Sequence, residues 1–155
     1  MKEIVEQLVK LNKTISTMES CTGGCVANHI TNIPGSSEVL KFSAVTYSNE
    51  FKIKMGVSSD VIEKYSVYSV ETAMEMSKSI SDFTLSNYGV GITGKLNRSD
   101  KNNQYGDDST VYISIYDRDN EIYINESIVV TYSTREENKK IVVDKIINML
   151  SGILV

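Results

Sequence analysis

Met18-Glu19-Ser20-Cys21-Thr22-Gly23-Gly24-Cys25 sets a hydroxyl nucleophile and two glycines where a short strand, Thr14 to Met18, hands over to a helix. On that helix Val26, Ile30 and Ile33 fall on one side. Ser20 is then expected beside free helix N–H groups. With the helix dipole behind them, such groups can hold a phosphate, a carboxylate or the oxyanion of an acyl-transfer intermediate, and Gly23 and Gly24 let a ligand approach the main chain closely. A second segment, Thr46-Tyr47-Ser48-Asn49-Glu50-Phe51-Lys52, brings a phenol and an amine to a strand-to-helix junction. A serine hydroxyl is a weak nucleophile until a base takes its proton, and a lysine can be that base once burial lowers its pKa from ~10.4 toward ~7 to 8. A tyrosine between the two can relay a proton or steady the neutral amine. Ser20, Tyr47 and Lys52 therefore make a candidate site, although a solvated lysine and a packing tyrosine fit the same spacing.

The other reactive side chains have plainer readings. Cys21 is an alternative nucleophile, set against the role of a small buried thiol, and Cys25 is read as core. His29, the only histidine, lies too far along the helix from Ser20 for a triad and is read as a surface residue. Glu19 either orients Lys52 or satisfies a local N–H, and Asn49 is read as the cap of the helix that carries Lys52. Cys21 and Cys25 have no second pair to complete a zinc site, so neither a metal centre nor a disulfide framework is expected.

Those residues need elements to hold them. Met1 to Lys13 reads as an amphipathic helix rather than a signal peptide. Asn32 to Ser37 is a loop, Val39 to Tyr47 a strand, and Asn49 to Met55 a helix. A longer helix is expected from about Val70 to Leu85, with Val70, Ala73, Met74, Met76, Ile80 and Phe83 on its buried side. Tyr88 to Ile92 reads as a third strand, after which Thr93-Gly94 opens a long polar loop to about Asp108, its stretch Asn97 to Asn103 reading as mobile. Two alternating strands, Thr110 to Tyr116 and Ile122 to Tyr132, form a hairpin, and Thr134 caps a last helix that turns Ile141, Val142, Ile146, Ile147 and Leu150 inward. This order predicts a three-layer α/β/α fold around a mixed, mostly parallel sheet, with ligands at the carboxyl ends of its strands.

With 155 residues, 41% hydrophobic and 23% charged, the chain is expected to form one soluble domain over 1–155. A net charge of −4 without a basic block argues against nucleic acid, and no apolar run reaches the ~20 residues of a membrane span. A cytoplasmic location is expected.

Glu-Ser-Cys-Thr-Gly-Gly at 19–24, Pro-Gly-Ser-Ser at 34–37, Thr-Tyr-Ser-Asn-Glu-Phe-Lys at 46–52, Met55-Gly56-Val57 and Ser69-Val70-Glu71 together resemble the C-terminal CinA (competence-damage-inducible) domain family. The resemblance runs in order from about Thr14 to Gly94 and more weakly to the final helix. It implies a metal-independent amidohydrolase of the stand-alone type, which converts nicotinamide mononucleotide to nicotinate mononucleotide and ammonia without a cofactor. The implied roles are Ser20 as nucleophile, Lys52 as general base and Tyr47 as the assisting hydroxyl. The amides near Thr22, Gly23 and Gly24 become oxyanion donors, and Asn49, Thr93, Gly94 and Arg135 candidates for holding the nucleotide. A pyridine nucleotide is the implied ligand and a homo-oligomer the expected assembly.

The departures from the family concentrate after Gly94. Its glycine-rich loop is replaced by Lys95-Leu96-Asn97-Arg98-Ser99-Asp100, and the Gly-Asp before Arg135 by Ser133-Thr134. Side chains in place of glycines restrict close backbone approach. A non-catalytic nucleotide-binding or regulatory module, or an amidase for another small amide, is the alternative they raise.

Overall fold

The computed structural model describes residues 1–104 and 106–155; Tyr105, inside the long loop expected from the sequence, lies outside the described residues. β1 (Ile15–Glu19) is buried along its whole length, because it runs between β2 (Leu40–Val45) and β3 (Tyr88–Gly94), parallel to both. β4 (Thr110–Asp117) pairs antiparallel with β3, and β5 (Ile122–Val129) antiparallel with β4, giving the order β2-β1-β3-β4-β5. The sheet is mixed, as expected, and β1, β2, β3 and β5 all run one way. Such parallel strands need helical crossovers, which cover both faces.

One face is covered by α1 (Lys2–Leu11), α2 (Cys25–Thr31) and α6 (Arg135–Ile153). Ile4, Val5, Leu8, Val26, Ile30, Val142, Ile146 and Leu150 pack there against Ile15, Val90, Ile92, Ile113 and Ile115. Of the inward residues expected on the last helix, Ile141 and Ile147 are only half-buried, and Val143 and Met149 join the buried set. Thr134 accepts from the Glu137 N–H at 3.2 Å and so caps α6 as its sequence predicts.

The other face is covered by α5 (Val70–Thr84) and the short α4 (Ser59–Tyr65), with Met18, Val57, Met76 and Ile80 at its centre. One element here was not foreseen and one expectation fails. Helix α4 has no counterpart among the elements read from sequence, and Phe83 is 66% exposed instead of buried. The sheet-facing residues of α5 are small and polar, namely Thr72, Ala73, Ser77 and Ser81 besides Met76 and Ile80. The reason is distance: a Cβ on Gly89 would lie 2.0 Å from the Ser77 carbonyl oxygen, and one on Gly91 2.3 Å from that of Ala73. Backbone meets backbone, so no large side chain fits between. Phe83 turns outward and meets Phe42 of β2, ring centroids 5.6 Å apart.

β3 runs two residues beyond Ile92, since Thr93 and Gly94 pair with Tyr112 and Val111. β5 stops at Val129, short of Tyr132. α3 (Asn49–Lys54) is capped by Ser48, which accepts from the Phe51 N–H at 3.3 Å, rather than by Asn49. Among the described residues no helix is long and apolar enough to cross a membrane.

Candidate active site

Ser20 follows the last residue of β1 at the carboxyl end of the sheet, where its N–H donates to the Ile92 carbonyl of β3 at 3.0 Å. Thr46, just past β2, is held there by its own N–H on the Glu19 carbonyl, 2.9 Å away. The chain then enters α3, whose first turn returns Lys52 under the strand ends. Lys52 is 1% exposed; its Nζ lies 3.0 Å from Ser20 Oγ and donates to the Thr46 carbonyl at 2.7 Å. Loss of water around the ammonium pulls its pKa down to about 8, against smaller upward effects of Cys21 and Asp100. A neutral amine can keep one N–H on Thr46 and turn its lone pair to the serine proton. Strand-end geometry thus brings a hydroxyl and a buried amine from different segments into hydrogen-bond contact, the arrangement an activated nucleophile requires.

The turn after Ser20 differs from its expected use. The α2 amides of Val26 and Ala27 donate to the Glu19 carboxylate, each at 3.0 Å, and Thr22 Oγ1 donates to it at 2.7 Å. Glu19 therefore satisfies local N–H groups, and a protein carboxylate already fills the helix N-terminus that was expected to face a ligand. Thr22 is fully buried by this bond. Gly23 and Gly24 hold positive φ values of 59° and 95°, which the tight turn requires, and the Gly23 N–H is spent on the Ser20 carbonyl at 3.0 Å. Among the described residues the amides of Cys21, Thr22 and Gly24 have no acceptor, and they are the donors left near Ser20.

Tyr47 does not sit between Ser20 and Lys52. It is 65% exposed at the cleft mouth, where its hydroxyl accepts from the Arg135 guanidinium at 3.2 Å. The cause is its place one residue beyond Thr46: the chain turns there, so Thr46 faces inward and Tyr47 outward. Thr93 is also displaced from its expected role, being fully buried with its hydroxyl donating to the Val67 carbonyl at 2.8 Å. Gly94 does line the cleft, as do Asn49 and Arg135. Cys21 is buried, and burial pushes its thiol up to about 12, which leaves it a poor nucleophile beside Ser20. His29 is engaged with the Cys25 carbonyl at 2.8 Å along α2.

The cleft over Ser20 measures about 660 Å³, and its far wall is built by Tyr68 and by the loop from Lys95, which the sequence marked as a departure from the family but not as a set of site residues. Lys95 has almost no exposed side chain, pairs with Asp108 at 3.3 Å and lies over the Tyr68 ring at 5.1 Å. Tyr68 donates to Asp100, and the segment Asn97 to Asn103, expected to be mobile, is hydrogen-bonded at Asn97, Asp100, Asn102 and Asn103. Buried Asn138 of α6 pins the approach, donating to the Leu96 and Tyr132 carbonyls at 3.4 and 2.9 Å. A polar residue inside the apolar stripe of the last helix was the available signal for Asn138. Tyr68 and Asp100 gave none, because their meeting depends on how the loop folds back. Among the described residues no group of three His, Cys, Asp or Glu side chains is placed to hold a metal ion.

Comparison with known proteins joins this geometry to a family. The family model of the CinA C-terminal domain matches residues 1–154. A CinA-like protein of Desulforapulum autotrophicum is 44% identical over 94 residues, which are 60% of this chain and 22% of that protein. The match thus spans about a fifth of that curated relative's length. Among solved structures, the competence/damage inducible protein CihA from Agrobacterium tumefaciens superposes with a TM-score of 0.84 at 26% identity, covering 97% of this chain and 93% of the other. A CinA superfamily protein from Klebsiella pneumoniae 700603 shares the fold with a TM-score of 0.89 at 20% identity, over 99% and 94% of the two chains.

Proposed function

The chain belongs to the CinA C-terminal domain family, and on that footing we propose that it is a serine amidohydrolase acting on a pyridine nucleotide, nicotinamide mononucleotide, to give nicotinate mononucleotide and ammonia. The observation that carries this reading is the buried Lys52 amine 3.0 Å from Ser20 Oγ. Neutral Lys52 takes the Ser20 proton as Oγ adds to the amide carbonyl. The oxyanion that forms is met by free amides of the turn, each such donor contributing roughly 10²- to 10³-fold in rate. Protonated Lys52 then gives its proton to the departing nitrogen, and ammonia leaves an acyl-enzyme. Water, deprotonated by the same amine, opens the ester, and the proton returns to Ser20 Oγ. Arg135 and Tyr47 at the mouth suit the nucleotide's phosphate, the guanidinium by charge and both as donors.

Ammonia release from nicotinamide mononucleotide by the purified protein tests the proposal, with Ser20→Ala beside it. Release by the parent protein and its loss in the variant are the expected result; release that persists in Ser20→Ala removes the serine from the mechanism. The pH dependence is a separate expectation. Only neutral Lys52 is a base, so kcat/KM rises with pH and levels off above about 8. A profile flat from pH 6 to 9 would exclude Lys52 as the titrating base.

A second reading, a nucleotide-binding module without turnover, is favoured by the side chains of Lys95, Arg98 and Asp100, which line the cleft from the stretch that replaces the family's glycine-rich loop. Binding measured by calorimetry with no ammonia released is its signature.

A further inference from the structure

Glu19, the residue before Ser20, is fully buried, and both oxygens of its carboxylate are in use. One accepts from Thr22 Oγ1 at 2.7 Å and from the Val26 N–H at 3.0 Å; the other accepts from the Ala27 N–H at 3.0 Å and from Thr17 Oγ1 at 3.3 Å. Thr17 Oγ1 lies 2.6 Å from Ser43 Oγ, which ties the group to β2 as well. A helix cap alone does not account for this set. The N-cap of α2 is Gly24, whose φ of 95° and missing side chain leave no local cap, so the carboxylate reaches over from the end of β1 to the α2 amides. Thr22 stands outside α2, within the turn, and its bond does nothing for the helix. Glu19 therefore holds the chain on both sides of Ser20.

Its main chain closes a circuit through the base. The Glu19 carbonyl accepts from the Thr46 N–H at 2.9 Å, the Thr46 carbonyl accepts from Lys52 Nζ at 2.7 Å, and Lys52 Nζ lies 3.0 Å from Ser20 Oγ. We propose that Glu19 is a positioning residue for the nucleophile: by clamping Thr22 it fixes the turn whose Cys21, Thr22 and Gly24 amides are left free, so that these donors are set before an oxyanion forms. Among the described residues the carboxylate has no bond to Ser20 Oγ or to Lys52, so it acts through the turn. Hydrogen bonds to a carboxylate are roughly twice as strong as those between neutral groups, which suits a clamp. Donors fixed in advance need no rearrangement as charge develops, and their effect falls on the transition state rather than on binding.

The inference rests on Ser20 being the nucleophile, and two readouts keep the clamp and the activity apart. Thr22→Val keeps the shape of the side chain and leaves the α2 amides on Glu19, but cuts the clamp; Thr22→Ser keeps it. The first readout is amide exchange at Gly23, whose N–H closes the turn on the Ser20 carbonyl, followed by NMR. It speeds up roughly tenfold in Thr22→Val, the scale of one lost bond to a charged group, and returns to near the parent rate in Thr22→Ser. The second is ammonia release from nicotinamide mononucleotide: in Thr22→Val kcat falls roughly 10- to 10²-fold with KM nearly unchanged, and Thr22→Ser restores it. Glu19→Gln loses more on both counts, because its amide nitrogen meets donors whichever way it turns; should it not fold, the Thr22 pair decides. Gly23 exchange in Thr22→Val equal to the parent's overturns the proposal, as does a loss confined to KM, a Thr22→Ser no better than Thr22→Val, or a folded Glu19→Gln with the parent's kcat. A parent protein that releases no ammonia would refute the proposed function and leave the Gly23 exchange to decide the clamp.

Discussion

On the proposed mechanism Lys52→Met abolishes measurable amide turnover, a loss of roughly 10² to 10⁴ or more for removal of a positioned base, and the variant is at least as stable as the parent at neutral pH. The pairing of these results separates a catalytic loss from a folding defect. In the native state Lys52 has a pKa of about 8, below its ordinary value of 10.5. Between those values the unfolded chain binds more protons than the native one, so the parent's stability rises with pH across that window. Below pH 8 the buried ammonium carries its full penalty, on the order of 3 kcal/mol from the shift. Methionine removes that penalty and loses the bond to Thr46, itself about 1 kcal/mol. The stability advantage of Lys52→Met is therefore largest below pH 8 and disappears toward pH 10.5. Urea unfolding at pH 7 and pH 10 measures it. Turnover within threefold of the parent would remove Lys52 from the mechanism, and an equal advantage at both pH values would show that folding does not lower the Lys52 pKa.

Gly89→Ala costs about 3 kcal/mol or more, the upper range for overpacking, and in a domain of ordinary marginal stability much of it unfolds. The added Cβ would stand 2.0 Å from the Ser77 main-chain oxygen and 2.9 Å from Ser81 Cβ. Helix backbone cannot move aside as a flexible side chain can, so α5 must lift from β3 as a unit. That loosens the face carrying Met18, Met76 and Ile80, just behind Ser20. Gly152→Ala is the control: no atom lies within 4 Å of its Cβ, and within α6 the change is neutral or stabilises by about 0.5 to 1 kcal/mol. Urea midpoints of the two variants decide the matter, and a Gly89→Ala midpoint within error of the parent would refute close backbone contact between α5 and β3.

These effects divide by how far apart in the chain their causes lie. β1, α3, α5 and α6 were legible because period, cap and turn chemistry are local. Thr134 before Arg135 announces a helix start with no knowledge of what α6 packs on. Ser20 and Lys52 were legible as reactive types at strand ends, and the family resemblance supplied their roles. The buried face of α5 misled periodicity, since Thr72, Ser77 and Ser81 face the sheet only because Gly89 and Gly91 admit backbone so close. Tyr47 misled in another way: proximity in sequence placed it beside Lys52, and the turn after Thr46 sent it to the rim with Arg135.

From its order of residues alone the chain specifies most of its elements, its class of fold, its family and the serine and lysine that meet at the sheet's carboxyl edge, because these follow from short-range periodicity and from residues set at or just past adjacent strand ends. Tertiary structure alone decided that Glu19 would close the α2 amides, that Lys52 would be dry enough to lose its proton near pH 8, and that Tyr68 would meet Asp100 across the cleft. Desolvation and long-range charge depend on what surrounds a group in three dimensions, and segments far apart in the chain supply those surroundings only once the sheet has formed.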